Sequence, residues 1–272
     1  MNLTESIILG VVQGLTEFLP ISSSGHLVLF QHMLGFREPQ LLLDVSLHLG
    51  TLLAVCIYFF PDLSRMTAKV WGLLGHGPQR PGSLREAMDD PDLAMVCWIV
   101  AGSMPTALIG VLFKDPLEMA FGSMSVVGVM LVVTGAILLA TFRPAGKTSG
   151  RKQVGWARAL GVGAAQGLAI IPGLSRSGTT IACGLLCGLD RELAGRFSFL
   201  LSIPAIVGAL VLQLGSGGLE GVSLLSLIAG MAASTLVGLG ALRVLMGVVR
   251  KGHLFYFTPY CWAVGALVWS LS

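Results

Sequence analysis

The sequence predicts an all-α, polytopic membrane helix bundle, with six transmembrane helices and two re-entrant helical hairpins in an inverted-topology repeat. Three observations predict it: an apolar composition beyond the needs of a soluble core, six long stretches poor in charge, and two related apolar regions broken by polar turns. Hydrophobic residues make up 54% of the 272-residue chain and charged residues only 11%, against about 25% in an ordinary soluble domain. Mean hydropathy is +0.82. So much apolar surface needs lipid as its solvent.

The six stretches run over about 40–60, 93–113, 119–142, 197–219, 221–242 and 254–272, and the last five contain no Asp, Glu, Lys or Arg. About 20 such residues cross a hydrocarbon core. The first carries Asp44 and His48, which leaves it slightly polar but long enough. Residues 6–36 and 159–189 are apolar but interrupted, the first by Glu17, Pro20, the run Ser22–Gly25 and His26, the second by Pro172-Gly173 and Ser175–Gly178. Each reads as two short helices around a polar tip, a form tolerated at membrane depth only inside protein or beside a wet cavity.

Basic residues fix an orientation for this layout. With six alternating spans and each hairpin returning to its own side, fourteen of the 17 Lys and Arg fall on one side. Only Arg37 and Lys114 fall on the other, and Arg176 lies in a tip. The positive-inside rule makes the rich side cytoplasmic and places both termini outside. The 61–92 segment, with Arg and Asp mixed, is expected to be a cytoplasmic connector. Residues 1–10 show no basic leader or small-residue cleavage site, so no removable signal peptide is expected.

An internal repeat underlies the two hairpins. Gly10-Val11-Val12-Gln13-Gly14-Leu15 aligns with Gly163-Ala164-Ala165-Gln166-Gly167-Leu168 at an offset of 153, which also pairs Ser22 with Ser175, Ser24 with Ser177 and Gly25 with Gly178. Three spans follow each copy, and an odd number inserts the second copy upside down. The chain then reads as one integral membrane domain over 1–272, with repeat 1 at about 1–142 and repeat 2 at about 157–272. Inversion lets the tips meet near the midplane.

The copies have diverged where chemistry is expected. Glu17, Ser23 and His26 of the first copy face Ile170, Arg176 and Thr179 in the second. A charge at the bilayer centre costs at least ~2.5–3.5 kcal/mol, so intramembrane ionisable residues point to function. Gln13 shares a helix face with Glu17. Ser22, Ser24, Gly25, Ser175, Ser177, Gly178, Thr179 and Thr180 supply hydroxyls and helix-start N–H groups that suit an anion, and a guanidinium matches phosphate oxygens with a planar fork. Together they describe a cradle for phosphate. The plainer reading makes the serines helix caps and Glu17–Arg176 a structural ion pair; two related turns that each hold a buried charge weigh against it. Asp44 and His48, four apart, either line the site or satisfy local polar groups.

Other classes fare worse. The net charge of +3 and the absence of a basic aromatic stripe exclude nucleic-acid binding. The five cysteines form no CxxC pair and read as apolar packing residues. His32, His76 and His253 read as loop or interfacial residues, and Trp98 and Trp262 as packing or belt residues.

The run Gln13-Gly14-Leu15-Thr16-Glu17-Phe18-Leu19-Pro20-Ile21-Ser22-Ser23-Ser24-Gly25-His26 resembles the first signature of the undecaprenyl-diphosphate phosphatases, the bacitracin-resistance proteins of BacA/UppP type. Pro172-Gly173-Leu174-Ser175-Arg176-Ser177-Gly178-Thr179-Thr180 resembles the second. The likeness extends over essentially the whole chain. It implies hydrolysis of undecaprenyl diphosphate to undecaprenyl phosphate and inorganic phosphate in the bacterial plasma (inner) membrane, at a site open to the outer face. That reaction recycles the lipid carrier for cell-wall synthesis. Bacitracin enters as an indirect partner that competes for the same lipid, and a homodimer is compatible with the pattern. The family also implies a divalent cation, Mg²⁺ or Ca²⁺. Its first signature admits Glu or Gln at position 13, and with Gln13 here the cation is expected on Glu17 and, mainly, on substrate oxygens.

The resemblance further implies Ser23 as the nucleophile, with Arg176 stabilising the transferred phosphoryl group. His26 is expected as base to Ser23 or donor to the leaving group, and Glu17 as its orienter or a cation ligand. In the rival mechanism His26 is itself the nucleophile and Ser22 and Ser23 only bind phosphate. A different class stays open beside the enzyme, a transporter or flippase for phosphorylated isoprenoid lipid or phosphate, because inverted repeats with broken helices are typical of secondary transporters.

Overall fold

The computed structural model describes residues 2–36, 41–74, 84–142, 150–215 and 223–270. Arg37, His76, Arg80, Arg143 and Lys147 lie outside the described residues. Among the described residues the protein is all-helical, with no strand and one isolated bridge between Arg151 and Leu189.

The first broken region is α1 (Leu3–Phe18) followed by α2 (Ser23–Met33). Asn2 and Glu5 start α1 with a reciprocal capping box. Pro20 ends it, because the residue before proline is driven out of the helical region, and Leu19 is indeed extended at φ −61°, ψ 144°. Next come α3 (Leu41–Tyr58), α4 (Phe60–Leu74), α5 (Leu84–Asp89), α6 (Pro91–Leu112), α7 (Lys114–Phe121) and α8 (Met124–Leu139). The second broken region is α9 (Trp156–Leu168) with α10 (Arg176–Leu186). The chain continues as α11 (Arg191–Gly215), α12 (Leu224–Lys251), a 3₁₀ turn (Leu254–Phe257) and α13 (Thr258–Ser270).

By length and composition, α6, α11 (through Leu212) and α12 can each cross a membrane alone. The pairs α3–α4 and α7–α8, bent by 78° and 100°, meet the same test if each counts as one span. Large apolar side chains lie exposed along one stripe of α6, at Val100, Met104, Leu108 and Val111, the surface a lipid-facing helix presents. The protein is a multi-pass membrane protein.

Three expectations change in detail. The 119–142 stretch is not one helix: α7 ends at Phe121 with Gly122 as its C-cap, and Ser123 caps α8 by accepting from the Val126 N–H. The described residues of the 61–92 connector, 61–74 and 84–92, are largely helical. Asp62 pairs with Arg65 (2.6 Å) and with Arg196 of α11 (2.7 Å), and Lys69 pairs with Asp90 (2.7 Å), tying α4 and the start of α6 to α11. The last stretch opens with a 3₁₀ turn, and its described helix, α13, has 13 residues, about 20 Å of rise.

Packing follows a reciprocal scheme. α1 lies along α12, and α9 lies along α6; α12 also packs on α3, and α6 on α11. The glycines of the repeated motif make the first two contacts. A Cβ on Gly14 would stand 2.7 Å from the Ser234 carbonyl oxygen and 2.9 Å from the Gly238 nitrogen, and one on Gly167 would stand 2.6 Å from the Ile109 side chain. Gly10/Gly14 and Gly163/Gly167 are therefore small-xxx-small seams that let helices approach closely in lipid. Gly14→Leu is expected to lower the melting temperature in detergent, at about 1–3 kcal/mol of overpacking. Gly161→Leu, where the added carbon meets nothing within 4 Å, leaves it unchanged; equal melts would contradict the seam.

Candidate active site

Each break brings a polar tip to the middle of the bundle, and the two tips touch. A Cβ on Gly178 would stand 3.0 Å from Pro20 Cβ. The Gly173 N–H donates to Ser24 Oγ at 3.5 Å, and the Ser177 hydroxyl to the Leu19 carbonyl at 3.4 Å. Arg176 Nη2 pairs with Glu17 Oε1, joining residues 159 positions apart.

The turns that hold these contacts use different backbone. Ser22 has φ +68°, a left-handed conformation costly for serine. In the second tip the positive φ falls on Gly173 (+90°) instead, while Ser175 is an ordinary N-cap accepting from the Gly178 N–H at 3.1 Å. Thr134 of α8 supports that tip, its hydroxyl oxygen accepting from the Ser175 N–H at 3.0 Å.

Glu17 is the hub. Its Oε1 takes Arg176, and its Oε2 accepts from the Ser23 hydroxyl at 2.5 Å and from Gln13 Nε2 at 3.0 Å. Gln13, Glu17, Ser22 and His26 are buried, as are Ser175, Ser177, Thr179 and Thr180. In a medium of low dielectric a carboxylate needs such partners, and a guanidinium and two neutral donors supply them. His48 lies on α3, one turn beyond Asp44. Its Nδ1 is 2.7 Å from the Asp44 carbonyl oxygen, and Gln31 Nε2 donates to Asp44 Oδ1 at 2.7 Å.

Several expected partnerships are replaced. His26 does not engage Ser23 or Glu17: Nδ1 lies 2.8 Å from the Ser22 carbonyl oxygen, and Nε2 lies 2.7 Å from the hydroxyl of Tyr260 on α13. The reason is local, since an imidazole four residues along a helix reaches the carbonyl behind it more readily than a hydroxyl three residues back. The Ser23 proton therefore faces Glu17. Thr180 turns its hydroxyl onto the Arg176 carbonyl at 2.8 Å, away from the cradle. Thr179 Oγ1 and Gln13 Oε1 are buried with no hydrogen-bond partner among the described residues. Ser22 and Ser24 place their hydroxyl oxygens 3.2 Å apart, and a Cβ on Gly25 would stand 3.0 Å from a methyl carbon of Val127.

The donors do not fit a protein-ligated divalent cation. One carboxylate stands at the tips with both oxygens engaged, Gln13 Oε1 is a single neutral ligand, and no group of three His, Cys, Asp or Glu among the described residues can hold a metal. Such ions demand several oxygen ligands.

Beside the first tip an apolar groove of about 340 Å³ is lined by Leu15, Leu19, Ile21, Phe30 and Phe257, with Thr16, His26 and Tyr260 as its polar members. Leu15 and Tyr260 are exposed on its outer side. Tyr260 escaped the sequence reading because 234 positions separate it from His26 and no motif surrounds it.

Fold and site define a class: a polytopic helical membrane protein with a buried carboxylate–hydroxyl–guanidinium centre where two broken helices meet. The chain belongs to the bacitracin resistance protein BacA family, whose model matches residues 6–267. It is similar to the undecaprenyl-diphosphatase of Desulfatibacillum aliphaticivorans, with 47% identity covering 98% of each chain. It is also similar to those of Desulforapulum autotrophicum, at 45% over 98% of this chain and 97% of the relative, and Carboxydothermus hydrogenoformans, at 44% over 100% and 98%.

Proposed function

We propose that this protein hydrolyses undecaprenyl diphosphate to undecaprenyl phosphate and inorganic phosphate at the two-tip centre. The observation that carries this reading is the shared carboxylate: Glu17 holds the Ser23 hydroxyl on one oxygen and Arg176 of the other tip on its second. The terminal phosphoryl group sits between Ser23 and the guanidinium, whose remaining donors face its oxygens. Ser23 Oγ attacks phosphorus, its proton passes to Glu17, and the bond to the bridging oxygen breaks. Undecaprenyl phosphate departs with that electron pair. Water then attacks the phosphoserine, the Oγ–P bond breaks, and Ser23 Oγ takes back the proton from Glu17 as inorganic phosphate is released. Arg176 neutralises the charge that builds on the transferred oxygens. Any divalent cation would be held mainly by the diphosphate oxygens, where it would offset their negative charge. The prenyl chain leaves the site along the groove past Leu19 and Phe30 toward lipid.

The same proposal includes six spans and two re-entrant hairpins as an inverted repeat, supported by the reciprocal packing of α1 on α12 and α9 on α6. It places the protein in the bacterial inner membrane with both termini outside and the site open to the outer face. Recycling the carrier there confers bacitracin resistance by reducing the lipid available to the antibiotic.

Purified protein in detergent, given undecaprenyl diphosphate, is expected to release phosphate, and Arg176→Ala is expected to release almost none. Transport needs a sealed membrane and hydrolysis does not. No release above the variant's background would overturn the enzyme reading in favour of a transporter.

A further inference from the structure

We propose that Tyr260 is a positioning residue for this reaction, holding His26 in the tautomer that clamps the backbone carbonyl of Ser22 and so sets the Ser23 hydroxyl. The proposal rests on the diphosphatase reading for its kinetic consequence, though not for its geometry. The Ser22 carbonyl oxygen, 2.8 Å from His26 Nδ1, can only accept, so Nδ1 carries the hydrogen. A neutral imidazole then presents Nε2 as an acceptor, and the Tyr260 hydroxyl, 2.7 Å away, donates to it. The rings lie almost parallel, at 13° with centroids 5.8 Å apart. The next residue repeats the tie, since Cys261 Sγ donates to the Pro20 carbonyl at 3.3 Å. Consecutive residues of α13, a helix packed chiefly on α8, thus fasten the first tip from outside its own hairpin.

The fastening acts where the backbone most needs it. Ser22 is the non-glycine residue with positive φ among the described residues, and such conformations persist only when surrounding bonds over-determine them. Its neighbour Ser23 reaches Glu17 at 2.5 Å only from this turn. Without the tyrosine hydroxyl His26 is free to take the other tautomer, and Nδ1 then has no proton for the carbonyl.

Tyr260→Phe keeps the ring and removes the hydroxyl. It is expected to lower kcat about five- to tenfold, the value of one hydrogen bond, with KM within about twofold. In a His26→Ala background the same change is expected to cost nothing further, because there is no ring left to hold. Tyr256→Phe, which keeps its ring stacked on His253 at 4.6 Å and removes the hydroxyl of an exposed tyrosine away from the tips, serves as the unchanged control. Spectra of ¹⁵N-histidine-labelled protein in detergent, with the His26 signals identified by their loss in His26→Ala, are expected to show the Nδ1–H form in the parent and a mixture in Tyr260→Phe. An Nε2–H form in the parent, an unaltered kcat, or an undiminished loss in the His26→Ala background would overturn the proposal. Absence of phosphate release by the parent overturns the diphosphatase reading instead, and the tautomer spectra still decide whether Tyr260 holds His26.

Discussion

Arg176→Ala is expected to reduce phosphate release by about 10³–10⁵-fold, the range for removing an arginine that stabilises a phosphoryl transition state. It is also expected to destabilise the protein, because truncating one partner of a buried pair strands the other and costs about 3–5 kcal/mol. The pair with Glu17 is buried on the carboxylate side and joins the two tips, so both effects arise from one contact. Two further variants separate them. Arg176→Lys keeps the charge but not the planar fork, and is expected to melt near the parent temperature while remaining at least about tenfold slower. Arg176→Ala with Glu17→Gln removes both charges, and is expected to recover stability without recovering activity. The measurements are melting temperature in detergent and initial rates of phosphate release. An Arg176→Ala protein within tenfold of the parent rate would leave the guanidinium a structural tie and remove it from the chemistry.

The positions of the breaks were legible in the sequence for simple reasons. Pro20 and the pair Pro172-Gly173 disfavour a continuing helix, and a serine before a helix start is a cap. Both breaks fall there, with α1 ending at Phe18 and α10 starting at Arg176. That Glu17 and Arg176 come together was legible from the cost of burying either alone. The roles around them were less so. Gly10 and Gly14 belong to the same motif as Gln13 but serve the seam with α12, a division that the four-residue spacing of small residues could have suggested. The pairing of Ser23 with Glu17 and not with His26 depends on the left-handed turn at Ser22, and serine gives no advance sign of adopting one. Tyr260 and Thr134 act on the tips from helices distant in sequence, and only packing reveals such contacts. The bend between α7 and α8 falls at Gly122–Ser123, inside the charge-free stretch that begins at 119, where composition does not register a glycine–serine break.

Ser23→Ala carries the sharpest consequence of the proposed chemistry. It removes a hydroxyl from a half-buried position whose partner Glu17 Oε2 keeps its bond from Gln13, so the fold is expected to lose no more than about 1.5 kcal/mol. Activity is expected to fall by about 10⁴-fold or more, since loss of a nucleophile removes the covalent route entirely. Glu17→Gln is expected to approach the same loss by a different path: the hydroxyl remains, but nothing accepts its proton and Arg176 loses its counter-charge. Acid-quenched parent enzyme, caught in turnover of substrate labelled in the terminal phosphate, is then expected to carry the label on Ser23 in acid-stable form. His26→Ala is expected to form the same phosphoserine more slowly, because that imidazole hydrogen-bonds to Ser22 and Tyr260 and not to Ser23 or Glu17. Label on His26, stable to alkali and lost in acid, would reverse these assignments. The Ser22–Ser23 turn would then be a phosphate clamp, and the ring that Tyr260 steadies would be the nucleophile itself.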